Sequence, residues 1–165
     1  MSSQAEADFE QFVLARGPAL WRSAYLLVGD RHKAEDLVQT ALAKAWPHFG
    51  RAEAFEAYVR RVMFTTATSW WRRKWRGEVP AERAGEDVVH HDVDTDPDLM
   101  AALAELPRSQ RAVLVLRYFE GRTERETAEA LGIAVGTVKS HASRGLAALR
   151  RSPRLHLTLD PEETR

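Results

Sequence analysis

Apolar residues recur along this chain with the spacing of helices, and no window keeps a sustained two-residue alternation. The periodicity predicts helices near 4–27, 31–48, 54–76, 97–105, 108–120, 124–131 and 137–150. On the 31–48 helix, Ala34, Val38, Ala41, Leu42, Ala45 and Phe49 fall on one face. The opposite face carries His32, Asp36, Gln39, Thr40 and Ala43, with Glu35 at its edge. On the 54–76 helix, Phe55, Tyr58, Val59, Val62, Thr66 and Trp70 make a sufficient core stripe, while Phe64, Trp71 and Trp75 project from the other side. Between 77 and 96 the stripe is lost, and Gly77, Pro80 and Gly85 interrupt a run rich in carboxylates. Asp96-Pro97 reads as the cap and first turn of the next helix. The pattern predicts an all-α fold: two small helical domains, 1–76 and 97–151, joined by an acidic flexible linker at 77–96 and followed by a tail at 152–165.

The 123–151 stretch predicts two short helices joined by a tight turn. Thr123 and Glu126 have capping-box spacing, Ala128 is small where helices must approach, and Gly132 suits a left-handed C-terminal cap. Ile133 and Val135 are expected to pin the turn into the core. On the second helix Val138, Ala142, Leu146 and Leu149 share the inner face. Ser140, Arg144, Ala147 and Arg151 lie opposite, flanked by Lys139 and His141. These are helix-turn-helix offsets, the geometry that places a helix in a DNA major groove. A plain helical hairpin with a solvated cationic face is the alternative.

Composition narrows the classes of function. Apolar residues make up 44% of the chain, enough for a packed core. The absence of cysteine excludes disulfides, thiolate nucleophiles and cysteine-bound zinc. No apolar run approaches the ~20 residues of a membrane span. A protein without membrane insertion, working in the cytoplasm, is expected. Net charge is zero, but its distribution is uneven: +3 over 1–81, −6 over 82–100, +5 over 101–154 and −2 over 155–165. Screening over ~8 Å at physiological salt lets the basic blocks act locally, so a neutral total does not exclude nucleic acid. From Arg60 to Arg76 there are six basic residues and no acidic one, interleaved with tryptophans. Unpaired bases stack on such rings at ~1–3 kcal/mol each while cations neutralise the backbone. The competing reading packs some of these aromatics against Trp21 and Tyr25 of the first helix. The polar face at 32–43 is either a solvated surface or a dock for a protein partner.

Catalytic chemistry finds no support. No carboxylate pair, nucleophile constellation or phosphate-binding glycine loop stands out, so neither enzymatic activity nor a cofactor is expected. His90-His91-Asp92 with Asp94 is the nearest metal candidate. Adjacent histidines point apart in most backbone geometries, and a solvated acidic linker accounts for the segment, so no metal is expected either.

Taken together, these residues resemble an extracytoplasmic-function (ECF) RNA polymerase sigma factor of the sigma-70 family. The resemblance is carried by DRHKAEDLVQTALAKAWPHF at 30–49, AYVRRVMFTTATSWWRRK at 57–74, LAELPRSQRAVLVLRYFEG at 103–121 and ETAEALGIAVGTVKSHASRGLAALR at 126–150. Tryptophans followed by basic residues at 70–74 resemble an actinobacterial, SigE-like subfamily. The resemblance implies a subunit that binds core polymerase and directs promoter-specific initiation. It assigns Asp36, Leu37, Gln39 and Thr40 to the coiled coil of the polymerase clamp, and implies a further contact with the flap. Phe49, Gly50 and Arg51 would capture a flipped base of the minus-ten element. Arg60, Arg61, Phe64, Thr65, Trp71, Arg72, Lys74 and Trp75 would hold melted DNA. Thr137, Lys139, Ser140, His141, Ser143 and Arg144 would face the minus-thirty-five duplex. An anti-sigma factor is an implied partner, the free protein would be a monomer, and polymerase-bound molecules would associate with the nucleoid.

Two positions depart from the family pattern. Relatives often carry Asn where this chain has Thr65, and many carry Arg where it has His141, whose imidazole lacks the bidentate fork that reads guanine. Two other readings stand beside this one: a stand-alone helix-turn-helix regulator whose N-terminal domain senses a ligand or dimerises, and a hydrolase built on helical carboxylates.

Overall fold

The structure, a computed structural model, describes residues 3–50, 54–75 and 96–155, with the side chains of 72–75 excluded. The described residues hold helices and no strand, and they fall into two compact units. The first contains α1 (Ser3–Val28), α2 (Arg31–Ala45) and α3 (Phe55–Trp75). The second contains α4 (Pro97–Ala104), α5 (Arg108–Leu114), α6 (Glu124–Leu131) and α7 (Val135–Arg151).

In the first unit α2 packs against both α1 and α3. Its core face is lined by small residues, Ala34, Ala41 and Ala45, all fully buried, which allow both neighbours close approach. Leu20, Trp21, Ala24 and Leu27 of α1 and Val59, Met63, Phe64 and Ala67 of α3 complete the core. The α1–α2 junction is defined by Gly29 at φ 74° and by Asp30, whose carboxylate accepts from the Lys33 amide at 2.9 Å and so satisfies one orphan donor of α2. The helix expected at 31–48 ends at Ala45. Pro47 has no amide to continue the ladder, and Trp46–His48 tighten into a 3₁₀ turn.

Two inward-facing residues had been expected outside. Phe64 is 1% exposed and Leu37 is fully buried. The buried stripe of α3 runs through Val59, Met63, Phe64, Thr66 and Ala67, because this helix meets α1 as well as α2 and buries a wider arc than one stripe. Phe55, Tyr58, Val62 and Trp70 are only half-buried. Phe55 instead joins an aromatic cluster with Phe9 and Phe12 of α1 and with Trp46 and Phe49 after α2. Its centroid distances are 4.5 Å for Phe9–Trp46, 4.9 Å for Phe12–Phe55 and 5.0 Å for Phe49–Phe55. Edge-to-face geometry of this kind suits the quadrupoles of the rings.

In the second unit, Asp96 caps α4 by accepting from the Asp98 amide at 2.9 Å, with Pro97 in the first turn. The helix expected at 108–120 is not uniform. After Leu114 it widens into a π-helical turn, Val115–Phe119, closed by the Glu120 amide donating to the Val115 carbonyl at 3.0 Å. The widening buries Val115 and Leu116 and leaves Tyr118 55% and Phe119 46% exposed. α5 packs against α7 across Gly145, where a Cβ would stand 2.8 Å from Leu114 Cδ1.

Candidate nucleic-acid interface

The helix-turn-helix is built by local chemistry. The Thr123 hydroxyl accepts from the Glu126 amide at 3.0 Å, and the Glu126 carboxylate accepts from the Thr123 amide at 3.1 Å, closing the capping box. Hydrogen bonding from Thr123, its backbone amide first, holds the Glu126 carboxyl below the usual carboxylate range, with Arg122 adding to the effect. Gly132 takes the left-handed conformation at φ 67°, and the Ile133 amide returns to the Ala128 carbonyl at 3.0 Å. Ala128 is buried as its size requires. Val135 is 39% exposed, not core: it opens α7, where the chain has already turned outward, and only Ile133 is partly covered.

On α7 the residues assigned to duplex DNA do share an outward side. Lys139, Ser140, Ser143 and Arg144 are exposed, while Thr137 and His141 are half-buried. The Nδ1 atom of His141 is enclosed without a hydrogen-bond partner. Val138 is fully buried beneath this row. The helix therefore offers an ammonium, a guanidinium and two hydroxyls on a rigid element, the groups that contact phosphates and base edges.

The first unit presents two surfaces. On α2, Asp36 and Gln39 are exposed and Thr40 is half-buried, and the Gln39 amide donates to Glu35 at 3.0 Å. Leu37 does not share that face but anchors it from below. On α3, Arg61 and Thr65 are exposed one turn apart, and the Thr65 hydroxyl donates to the Arg61 carbonyl at 2.8 Å. Trp71 is half-buried. Phe64 lies under this surface and has no free ring face for a base. Phe49 belongs to the aromatic cluster, and Gly50 turns the chain at φ 85°. Arg51, the acidic 77–95 segment with its histidines, and the side chains of Arg72, Lys74 and Trp75 lie outside the described residues.

Arg60 has a different role from its neighbours. Its guanidinium donates to Ser23 Oγ at 2.7 Å and to Glu56 Oε1 at 3.1 Å, and its side chain is only 15% exposed. Arg16 of α1 completes the lock by a two-pronged contact with the same carboxylate, at 2.6 and 2.8 Å. The Arg16 hydrogen bond, with Arg60 behind it, holds the Glu56 carboxyl below its ordinary range. Arg60 thus fastens α3 to α1 and has few donors left for DNA. The sequence carried half of this signal, since Glu56 and Arg60 stand four residues apart. Arg16, forty residues away, gave none.

Among the described residues no group of histidines and carboxylates could hold a metal ion, and no helix is long and apolar enough to cross a membrane. Comparison with known proteins finds a family model for each unit. Residues 12–77 match the family model of sigma-70 region 2, and residues 97–149 match that of sigma-70 region 4. The chain is 45% identical over 152 residues to the RNA polymerase sigma-E factor of Streptomyces coelicolor, covering 87% of this chain and 84% of that protein. It is 31% identical over 158 residues to the ECF RNA polymerase sigma factor SigE of Mycolicibacterium smegmatis, covering 88% of this chain and 62% of that longer protein. The sigma factor RpoE of Bartonella quintana, solved in complex with the anti-sigma factor NepR, superposes with a TM-score of 0.66 at 30% identity, over 90% of this chain and 98% of RpoE. With a region 2 helical unit, a region 4 helix-turn-helix and relatives aligned across both, the chain belongs to the ECF sigma factors of the sigma-70 family, in their SigE-like group, and is a DNA-binding factor of transcription initiation.

Proposed function

We propose that this sigma factor reads its promoter with two hands while held on core RNA polymerase. Residues 1–76 dock on the clamp coiled coil through Asp36, Gln39 and Thr40. The same domain takes the melted minus-ten strand along Gly50, Arg51, Arg61, Thr65 and Trp71, extended by Arg72, Lys74 and Trp75. Residues 97–151 set α7 into the minus-thirty-five duplex through Thr137, Lys139, Ser140, His141, Ser143 and Arg144, and the 77–96 segment spans the two. Leu37, Phe64 and Arg60 support these surfaces from beneath. The factor carries out no chemistry of its own, because nucleotidyl transfer belongs to the polymerase.

The observation that carries this reading is the exposed row Lys139, Ser140, Ser143 and Arg144 on the second helix of a helix-turn-helix whose first helix is capped at both ends. An anti-sigma factor is a natural regulator, as RpoE of Bartonella quintana has in NepR. Run-off transcription tests the proposal: purified core polymerase plus this protein should initiate from a cognate promoter, and core alone should not. A footprint produced by the protein alone and unchanged by polymerase would favour the stand-alone regulator. Asp36→Arg, on the exposed side of α2, should abolish pull-down of core polymerase with the helical content intact; normal capture would reject that docking face.

A further inference from the structure

Lys139 belongs to the exposed row of α7, yet its ammonium lies 3.8 Å from the Glu124 carboxylate in the first turn of α6. The two side chains are 67% and 38% exposed, so the pair stands on the surface. Glu124 also supplies the one carboxylate among the residues lining an open groove along α7, which include Arg117, Lys139 and Arg150 with Ala142 and Leu146. Every other charge in that lining is positive and suits a phosphate.

A carboxylate at this point changes what the surface rewards. A phosphate that approaches Lys139 meets Glu124 as well, so part of the attraction is cancelled and the existing ion pair must be loosened. That cost falls on any duplex, whatever its sequence. A base edge is different, because the amino groups of cytosine and adenine donate in the major groove and a carboxylate can accept from them. We propose that Glu124 restrains phosphate binding by the duplex-reading surface: it holds Lys139 in the inter-helix pair and opposes indiscriminate attraction to the DNA backbone. The inference rests on the reading of α7 as the helix that meets duplex DNA.

The test uses the full chain and a fluorescein-labelled duplex of mixed sequence, followed by anisotropy across a KCl series. Glu124→Gln should tighten binding about three- to fivefold at low salt, the range of an exposed ion pair. It should also steepen the plot of log Kd against log salt by about 0.9, the release of one further counterion. The gain should shrink in a Lys139→Ala background. Glu124→Asp, which keeps a negative charge in the first turn of α6 but withdraws it from Lys139, should shift affinity the same way by less, and it serves if the glutamine variant folds poorly. A purely structural role for Glu124 would move the melting temperature and leave the salt slope alone. Unchanged affinity and slope in Glu124→Gln, or equal tightening with and without Lys139, would overturn the inference while Arg144→Ala still weakened binding. If Arg144→Ala and Lys139→Ala both had no effect, the reading of α7 itself would fall.

Discussion

Thr127 is fully buried on α6, and its hydroxyl has no hydrogen-bond partner among the described residues. An enclosed orphan of this kind raises the energy of the folded state, and a methyl group of the same size does not. Thr127→Val is therefore expected to raise stability by about 1 kcal/mol, measured by urea denaturation of the full chain; an unchanged midpoint would show that the hydroxyl is satisfied. Residue-level roles were only partly legible in the sequence. Asp36, Gln39, Ser140 and Arg144 are exposed as their helical phase implied, and the flanking Lys139 is exposed with them. Phe64 misled because an aromatic among arginines looks like a stacking platform, whereas α3 buries it against neighbours that the local sequence does not name. Arg60 misled for a related reason, since its partners Ser23 and Glu56 and the reinforcing Arg16 come from two helices.

The elements were easier to read than their contacts. Capping residues and the proline-glycine breaks mark helix ends by local chemistry, so Thr123, Gly132 and Asp96 do what their types predict. The π-helical turn and the α5–α7 crossing left no such mark. A helical wheel assumes one phase throughout, and glycine at 145 carries no hydrophobic signal although it is the point of closest approach to Leu114. Alanine at an interior helix position ordinarily gains about 1 kcal/mol over glycine. Here Gly145→Ala should instead cost about 1–3 kcal/mol through overpacking, seen as a lower melting temperature, and the same substitution made in a Leu114→Ala background should cost less, because the clashing side chain is gone. The lock between α1 and α3 depends on acid. Glu56 titrates below its ordinary 4.5 when folded, so its contribution is complete above that pH and fades as pH falls through the depressed value. Glu56→Gln should be less stable than the parent by about 1 kcal/mol near neutrality, discounted for partial exposure, and the two denaturation curves should converge as the pH is taken well below 4.5. A gap that persisted in acid would mean the carboxylate acts by shape alone.

At the scale of the whole molecule, two promoter elements set two helical turns apart lie ~70 Å from each other. A random coil of about 20 residues has an r.m.s. span of only ~25 Å, and any chain of that length reaches ~70 Å only when fully extended. Under the two-handed reading proposed above, simultaneous engagement by the free chain is entropically costly, and polymerase supplies the missing free energy. The isolated protein should bind promoter duplex weakly in a gel-shift assay, and a nanomolar sequence-specific complex without polymerase would contradict the bipartite account. The same division has a consequence for how such a protein changes over generations. Each unit encloses its own core, α1–α3 around Leu37 and Phe64 and α4–α7 around Leu114 and Val138. The two departures from the family pattern, Thr65 and His141, fall one in each unit. On the proposed reading, one reader can acquire a new dialect while the other keeps the old. What binds their histories together is the spacing of the two words on the DNA.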